Sequence, residues 1–205
     1  MPEALRDQPH EPEIVSTEVV FDGMVWDVRR ETFANGDGRI TREFVAHTGA
    51  VAVLALDERD NVLLIRQYRH PIRTREWELP AGLLDQPGES PLLAAQRELA
   101  EEVDLAATEW AVLSDFATTP GGSNERLRIY LARGLSDTAA FERTEEEADI
   151  EKRWASLDEV VDAVLARDVQ NSILVIGALA AQASRSRGWA PLAPADSPWP
   201  EHPLR

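Results

Sequence analysis

One segment of this 205-residue chain, residues 82–105, most narrows the choice of fold and of functional site. Residues three or four positions apart are neighbours on a helix surface, so Glu98, Glu101 and Glu102 would crowd together on one side of a helix. Such a cluster repels itself unless a cation joins it. Mg²⁺ takes oxygen ligands and is commonly bound by a few carboxylates together with substrate phosphates. The segment therefore predicts a helix that carries a metal site for handling phosphates.

Local chemistry specifies where this helix begins and ends. Ser90 is a preferred N-cap residue, and Pro91 suits the first turn, where its missing N–H leaves no helical hydrogen bond unmade. We expect the helix to run to about Val103. Arg97 falls outside both the acidic face and the apolar stripe, and its spacing favours an ion pair with Glu89 that would tie the preceding loop to the helix. The apolar stripe consists of Leu92, Ala95, Leu99 and Val103.

Composition and charge narrow the class of protein. The formal net charge of −16 argues against a nucleic-acid surface, because such binding depends on Lys and Arg that neutralise phosphates. No segment reaches the roughly 18 apolar residues of a membrane helix, and the N-terminus is too polar for a signal peptide. The absence of cysteine excludes disulfides, thiolate metal sites and cysteine nucleophiles. We therefore expect a cytoplasmic protein that binds neither nucleic acid nor membranes.

The pattern along the chain predicts an α/β protein in several parts. Residues 1–13 have a disordered composition, residues 14–47 predict a small N-terminal β element, and residues 188–205 form a Pro-rich tail that we expect to be irregular. The main domain would span residues 48–187. This organisation gives one domain with a sizeable core and a short appendage.

Turn and capping signals place the secondary structure. Within the N-terminal β element, residues 25–33 and 40–47 flank an Asn-Gly-Asp-Gly turn, which is a strong hairpin signal. Ser156 begins a capping box that opens a second helix, and Asn171 can cap a third helix that runs through Ala183. The remaining predicted strands cover residues 50–56, 61–68, 109–117 and 127–132. Strands alternating with helices in this order indicate a mixed sheet between helices.

The acidic helix and its flanks resemble the Nudix box, whose pattern is G-x5-E-x7-R-E-U-x-E-E-x-G-U with U an aliphatic residue. The chain departs from it twice, because six residues instead of five separate Gly82 from Glu89 and Asp104 replaces the box glycine. A Pro-Gly turn can absorb the extra residue, and Asp tolerates the left-handed conformation wanted at position 104. The matching positions are Gly82, Glu89, Arg97, Glu98, Leu99, Glu101, Glu102 and Leu105.

This resemblance implies an α/β/α sandwich with a mixed sheet, preceded here by the small N-terminal β element, and hydrolysis of a diphosphate P–O–P bond. It also implies two or three Mg²⁺ or Mn²⁺ ions, held by the backbone carbonyl of Ala81 and by Glu98, Glu102 and Glu101. The Nudix-like isoprenoid isomerases are a poor match, because they use a catalytic cysteine that this chain lacks.

Two further segments resemble the ADP-ribose pyrophosphatase branch of the family. They are residues 77–82, Trp-Glu-Leu-Pro-Ala-Gly, and Pro120, which lies fifteen residues past the end of the box. The implied substrate is ADP-ribose and the implied products are AMP and ribose 5-phosphate. A proline in a Pro-Gly-Gly turn would also suit any loop between strands.

The branch resemblance implies substrate contacts at several positions. Arg69, at a strand end, would contact the diphosphate, although a surface ion pair is the alternative. Arg42 and Glu43 would reach the adenosine from the partner subunit, which implies a homodimer with shared active sites. Adjacent strand residues point to opposite faces of a sheet, so a structural role for one of the two is the alternative. Glu125 would hold a ribose hydroxyl or a water, or else simply begin a solvated strand. Trp26 is a candidate interface or adenine-stacking aromatic, with a core role as the alternative.

The general base of this branch lies on a loop after the box. The acidic run at residues 145–149 occupies that interval, and either Glu146 or Glu147 matches the base position. Without the resemblance, an acidic run of this kind would be interpreted as a solvated loop.

Two other functions compete with ADP-ribose hydrolysis. The first is a diphosphatase for another nucleotide sugar or for a dinucleotide such as NADH, because the box recognises the diphosphate and not the groups attached to it. The second is a non-catalytic nucleotide-sugar sensor, which would be expected to lose the acids that this chain keeps. A purely structural protein would leave the acidic cluster unexplained.

Overall fold

The chain folds into two compact units, as seen in a computed structural model that describes residues 4–140 and 150–202. Of the described residues, the N-terminal unit comprises residues 4–47 and Thr119–Asn124, and the main unit comprises Thr48–Thr118 and residues 125–140 and 150–202. The N-terminal unit contains strands β1 (Ile14–Phe21), β2 (Asp27–Asn35) and β3 (Gly38–Ala46).

Within the residues that the structure describes, the main unit contains the remaining strands and three helices. Its strands are β4 (Ala50–Ala55), β5 (Asn61–Arg69), β6 (Thr74–Glu78), β7 (Ala81–Leu83), β8 (Leu105–Ala117), β9 (Arg126–Asp137), β10 (Glu151–Ser156) and β11 (Ala193–Pro194). Its helices are α1 (Pro91–Val103), α2 (Leu157–Ala166) and α3 (Ser172–Arg185). Among the helices of the described ranges, none combines the length and apolar character needed to cross a membrane.

The N-terminal unit is a three-stranded antiparallel sheet in the order β1-β2-β3. The predicted hairpin is confirmed: Asn35 pairs with Gly38, and Gly36 adopts the positive φ of 58° that glycine accepts without steric cost. The loop 119–124 is attached to the end of β3. There the N–H of Val45 donates to the carbonyl of Gly122 at 2.9 Å.

The main unit is built on a mixed sheet whose two faces are both covered. Its five-stranded part has the order β11-β8-β9-β4-β7, with β4 and β9 parallel and the other pairs antiparallel, and a second sheet has the order β10-β5-β6. Every residue of β4 is buried, and alternate residues contribute to two separate cores. Helices α2 and α3 pack into one core and α1 packs into the other. The predicted α/β/α sandwich is confirmed.

Helix α1 has the predicted boundaries. The Ser90 Oγ accepts a hydrogen bond from the N–H of Leu93 at 3.3 Å, and Asp104 ends the helix in the left-handed conformation at φ 62°. One contact was not predicted: Lys152 on β10 donates from Nζ to Asp104 Oδ2 at 2.7 Å and to the carbonyl of Val103 at 3.2 Å. A lysine therefore satisfies the C-terminal end of the helix at the position where the family glycine is missing.

The other two predicted helices are also confirmed. The Ser156 Oγ accepts from the N–H of Glu159 at 3.1 Å at the start of α2. The Asn171 side chain accepts from the N–H groups of Ile173 and Leu174 at the start of α3. Helix α3 runs two residues beyond the predicted end, to Arg185.

The C-terminal tail is more ordered than its composition predicted. Residues 193–194 form β11 and pair with β8, so the expectation of an irregular tail is wrong for this part. The tail is held in place by Arg128 on β9, a residue that is only 2% exposed. Its guanidinium binds both carboxylate oxygens of Asp115, at 2.7 and 2.8 Å, and donates to the carbonyl of Ser197 at 2.8 Å, while it lies over the ring of Trp199. A buried arginine thus holds the tail through contacts that local composition does not reveal.

Candidate active site

The three acids of α1 differ in how far they are buried. Glu102 is buried, Glu98 keeps 12% of its side chain exposed, and Glu101 keeps 38%. The Glu102 Oε2 accepts a hydrogen bond from the backbone N–H of Ala81 at 2.9 Å. This bond ties the acidic face of the helix to the start of β7, where the predicted carbonyl ligand is located.

Gly82 lies directly against Glu98. A Cβ placed on Gly82 would come within 2.0 Å of the carboxyl carbon and of Oε1 of Glu98, a separation that real Cβ atoms do not adopt. The first glycine of the box is therefore needed because the carboxylate occupies the space of a side chain. This contact brings Glu98 next to the peptide that joins Ala81 to Gly82.

Arg97 lies at the centre of the acidic cluster. The predicted pair with Glu89 is confirmed as a bidentate contact, with Nε to Oε1 at 3.0 Å and Nη2 to Oε2 at 2.9 Å. The prediction that Arg97 falls outside the acidic face is wrong, because its Nη1 also contacts Glu98 at 2.6 Å and Glu101 at 3.0 Å. The long side chain reaches both an adjacent residue and the neighbour four positions on. Arg97 therefore compensates part of the repulsion between the acids.

These contacts shift the protonation equilibria of the pair. The hydrogen bonds that Arg97 donates to Glu89 raise the pKa of its guanidinium above the ordinary value, against the opposing effect of burial. The charge of Glu98 and the hydrogen bonds to Glu101 and Glu98 act in the same direction. The hydrogen bonds from Arg97 hold the pKa of the Glu89 carboxyl below its ordinary value. Both groups are therefore charged at neutral pH, so the ion pair between them is kept.

The donor set suits a hard divalent cation. Carboxylate and carbonyl oxygens are the ligands that Mg²⁺ prefers, and the cluster already contacts one cationic group, the guanidinium of Arg97. Within residues 4–140 and 150–202, no three Asp, Glu or His side chains are arranged as a ready metal-binding group. The ligand set of Ala81, Glu98, Glu101 and Glu102 stays a prediction.

Arg69 ends β5, as predicted, and forms an ion pair with Glu78. Its Nε donates to Glu78 Oε1 at 2.8 Å and its Nη2 donates to Oε2 at 2.6 Å, while Gln67 Nε2 donates to the same Oε2 at 3.2 Å. The Arg69 side chain is 42% exposed and that of Glu78 is 2% exposed. The role of Arg69 in binding diphosphate stays a prediction, and the buried Glu78 was missed by the sequence analysis.

Pro120 and Glu125 are close in sequence but belong to different units. Pro120 lies in the loop 119–124 of the N-terminal unit. Glu125 precedes β9 in the main unit, and its Oε2 accepts a hydrogen bond from Thr118 Oγ1 at 2.5 Å. Their proposed contacts with substrate stay predictions.

The three remaining substrate-binding candidates lie in the N-terminal unit. Arg42 donates to the carbonyl of Thr41 at 2.9 Å. Glu43 accepts two hydrogen bonds from Arg30 of its own chain, at 2.8 and 2.5 Å. The ring of Trp26 stacks on that of His47, with centroids 4.1 Å apart and planes inclined by 19°.

The two candidate bases, Glu146 and Glu147, lie outside the described residues. Their assignment stays a prediction that rests on the family resemblance alone.

Residues 46–175 match the NUDIX domain family, and the chain belongs to that family. The chain is 44% identical over 195 residues to the ADP-ribose pyrophosphatase of Mycobacterium tuberculosis. This alignment covers 95% of this chain and 94% of that protein. The ADP-ribose pyrophosphatase of Bacillus subtilis is 32% identical over 163 residues, or 79% of this chain and 88% of the relative. The predicted membership of the Nudix family is confirmed.

One further relative carries a different name, and one solved structure has a similar fold. The methanol dehydrogenase activator of Bacillus methanolicus is 32% identical over 167 residues, which is 81% of this chain and 90% of that protein. A crystal structure of an ADP compounds hydrolase superposes with a TM-score of 0.74 at 24% identity, and covers 89% of this chain and 99% of the other. The structural match supports the fold.

Proposed function

We propose that this protein hydrolyses the diphosphate bond of ADP-ribose to AMP and ribose 5-phosphate with the help of Mg²⁺. The observation that carries the proposal is the acidic face of α1, where Glu98 fills the space above Gly82 and Arg97 braces Glu89, Glu98 and Glu101. The choice of ADP-ribose is supported by the two ADP-ribose pyrophosphatases among the relatives.

Each group of residues has a separate task in this reaction. Glu98, Glu102, Glu101 and the carbonyl of Ala81 would hold Mg²⁺, which when bound neutralises the diphosphate and makes water a better nucleophile. Arg69 would bind the diphosphate oxygens as a planar, permanently charged donor. A glutamate of the acidic run would take the proton of the attacking water, while the bridging oxygen leaves with the second phosphate.

The substrate assignment is tested by comparing kcat/KM across a panel of diphosphates. ADP-ribose is expected to lead over other ADP-sugars, GDP-sugars, NADH and nucleoside triphosphates, each assayed with Mg²⁺ and with Mn²⁺. A leading ADP-sugar or dinucleotide would favour the alternative diphosphatase, and a leading triphosphate would contradict the branch assignment. Binding without turnover of any member would favour the sensor.

The base is tested by changing Glu146 and Glu147 to glutamine one at a time. A general base contributes about 10²–10⁴-fold to the rate, so one of the two variants is expected to lose kcat by that factor. Mg²⁺ affinity should be kept in both, because neither residue is a proposed metal ligand. If both variants turn over at the wild-type rate, the base belongs to another part of the chain.

We also propose a cytoplasmic homodimer in which the N-terminal unit of one subunit contributes to the active site of the other. All eight residues of β1 are exposed, and they include Phe21 at 63% and Val19 at 51%. An apolar strand of this kind is typical of a surface that a partner covers, and closed two-fold dimers are the commonest oligomers.

The shared site is tested by mixing two inactive variants, Arg42→Ala and Glu98→Gln, after unfolding and refolding them together. Some mixed dimers would carry one intact site, so a fraction of the activity is expected to return. Each variant refolded alone is the control. If mixed dimers form and the Arg42 variant alone is inactive, absence of recovery would show that the sites are not shared.

A further inference from the structure

Glu78 is a buried carboxylate at the end of β6. Its residue is 1% exposed, which makes it the most buried of the charged residues in the described part of the chain. Both of its oxygens accept hydrogen bonds: Oε1 from Arg69 Nε at 2.8 Å, and Oε2 from Arg69 Nη2 at 2.6 Å and from Gln67 Nε2 at 3.2 Å. The three donors approach from the neighbouring strand β5, which pairs with β6 in antiparallel register.

Stability alone is a weak reason for this arrangement. Desolvating two charges is costly, and a buried ion pair is often no more stabilising than apolar side chains of the same volume. A bidentate contact does something else, because it fixes the plane of the guanidinium as well as its position. Glu78 keeps its side chain inside the protein, at 2% exposure, while 42% of the Arg69 side chain remains exposed at the surface.

The segment that follows Glu78 is held by hydrogen bonds of its backbone. The carbonyl of Pro80 accepts from the N–H of Val53 at 2.8 Å, on a strand of the central sheet. The N–H of Ala81 then holds the carboxylate of Glu102 at 2.9 Å. Residues 78–81 therefore contact Arg69, the proposed diphosphate ligand, at one end and Glu102, a proposed metal ligand, at the other.

From these contacts we infer that Glu78 is a positioning residue, which orients the Arg69 guanidinium toward the substrate diphosphate. The inference rests on the proposed function, since it assumes that Arg69 binds a diphosphate. Its action is indirect: Glu78 is enclosed by Arg69 and Gln67 and acts through the arginine.

The test is a double-mutant cycle with Glu78→Gln and Arg69→Lys, measured as kcat/KM for ADP-ribose. Glutamine has nearly the same shape, but its amide N–H₂ would face the donors of Arg69. The bidentate contact between residue 78 and the Arg69 guanidinium would therefore be lost. Misplacement of a binding group by about 1 Å can cost about 10²-fold in rate, and a loss of that order is expected for Glu78→Gln. Because both residues act as one unit, the double variant should be about as slow as Arg69→Lys alone.

Asp115→Asn is the matched control. Asp115 is also a carboxylate in a bidentate contact with an arginine, Arg128, but it holds the C-terminal tail. This variant should lower the Tm and leave kcat/KM unchanged. Glu78→Asp keeps the charge on a shorter side chain and should give an intermediate loss, which also serves if Glu78→Gln fails to fold. A wild-type kcat/KM in either Glu78 variant, or additive losses in the cycle, would overturn the inference.

A second readout separates this inference from the proposed function. The cycle is repeated as the affinity for the non-hydrolysable α,β-methylene analogue of ADP-ribose with Mg²⁺, by calorimetry. If the wild-type protein prefers another diphosphate, the proposed substrate is wrong, and the cycle measured on that diphosphate still decides the role of Glu78. If the wild-type protein neither hydrolyses nor binds any diphosphate, both are overturned.

Discussion

Glu98→Gln is expected to lower kcat by at least about 10³-fold while the protein stays folded. Metal ions supply several kcal/mol of charge stabilisation in hydrolysis, and each tenfold in rate corresponds to about 1.4 kcal/mol. Removing one negative ligand weakens that contribution. The same change removes a like charge beside Glu101 and Glu102 on α1, but it also weakens the contact of Glu98 with Arg97 at 2.6 Å. These two effects oppose each other, so the free energy of unfolding without metal should change little.

Steady-state kinetics over a range of Mg²⁺ concentrations and thermal unfolding in chelator measure the two effects. Glu102→Gln is expected to behave similarly in turnover, although its carboxylate also accepts from the N–H of Ala81. Glu109→Gln is the control, because it removes an exposed acidic charge on β8 outside the box. Near-wild-type activity of Glu98→Gln at low Mg²⁺ would mean that Glu98 is not a primary ligand.

Gly82→Ala is expected to lower kcat/KM by about 10²-fold, the usual size of the loss when a catalytic group is displaced by about 1 Å. The new methyl group would meet the Glu98 carboxylate at 2.0 Å, so either the carboxylate or β7 must move. The flexible end of Glu98 is the part that gives way, and the fold should therefore survive. Far-UV circular dichroism and the Mg²⁺ dependence of kcat measure fold and metal affinity separately.

Gly38→Ala provides the matched control for this change. Its new Cβ would lie 3.7 Å from the carbonyl oxygen of Asn35, an ordinary van der Waals contact, and Gly38 has no positive φ. This variant should keep wild-type kcat/KM. If Gly82→Ala were equally active, Glu98 would not need its present position for catalysis.

Features set by local chemistry were predictable from sequence. Ser90, Pro91 and Asp104 define the ends of α1 through contacts within a few residues, and the hairpin at residues 35–38 needs only its own turn. The resemblance to the Nudix box then identified the family and the acidic site. The pair of Arg97 and Glu89 was also predictable, because the two residues are only eight positions apart in the sequence.

Contacts between distant segments were not predictable in the same way. Glu78 meets Arg69 only because β5 and β6 pair in one particular register, in which Ile65 lies opposite Glu78. Arg128 binds the tail across 69 residues of sequence. In each case, the sequence pattern predicts that a charged residue in a strand lies at the surface. Its burial depends instead on how the strands and the tail pack together in three dimensions.

The ion pair between Lys152 and Asp104 has a practical consequence for handling the protein. Lys152 is the only lysine in the sequence. Acylating dyes, crosslinkers and amine-coupled surfaces therefore find a single ε-amino group, and it is engaged with the carboxylate and the carbonyl that terminate α1. Coupling through this group would remove its positive charge and both contacts at the end of the helix that carries the acids. Attachment through an added terminal tag would leave that end of the helix intact.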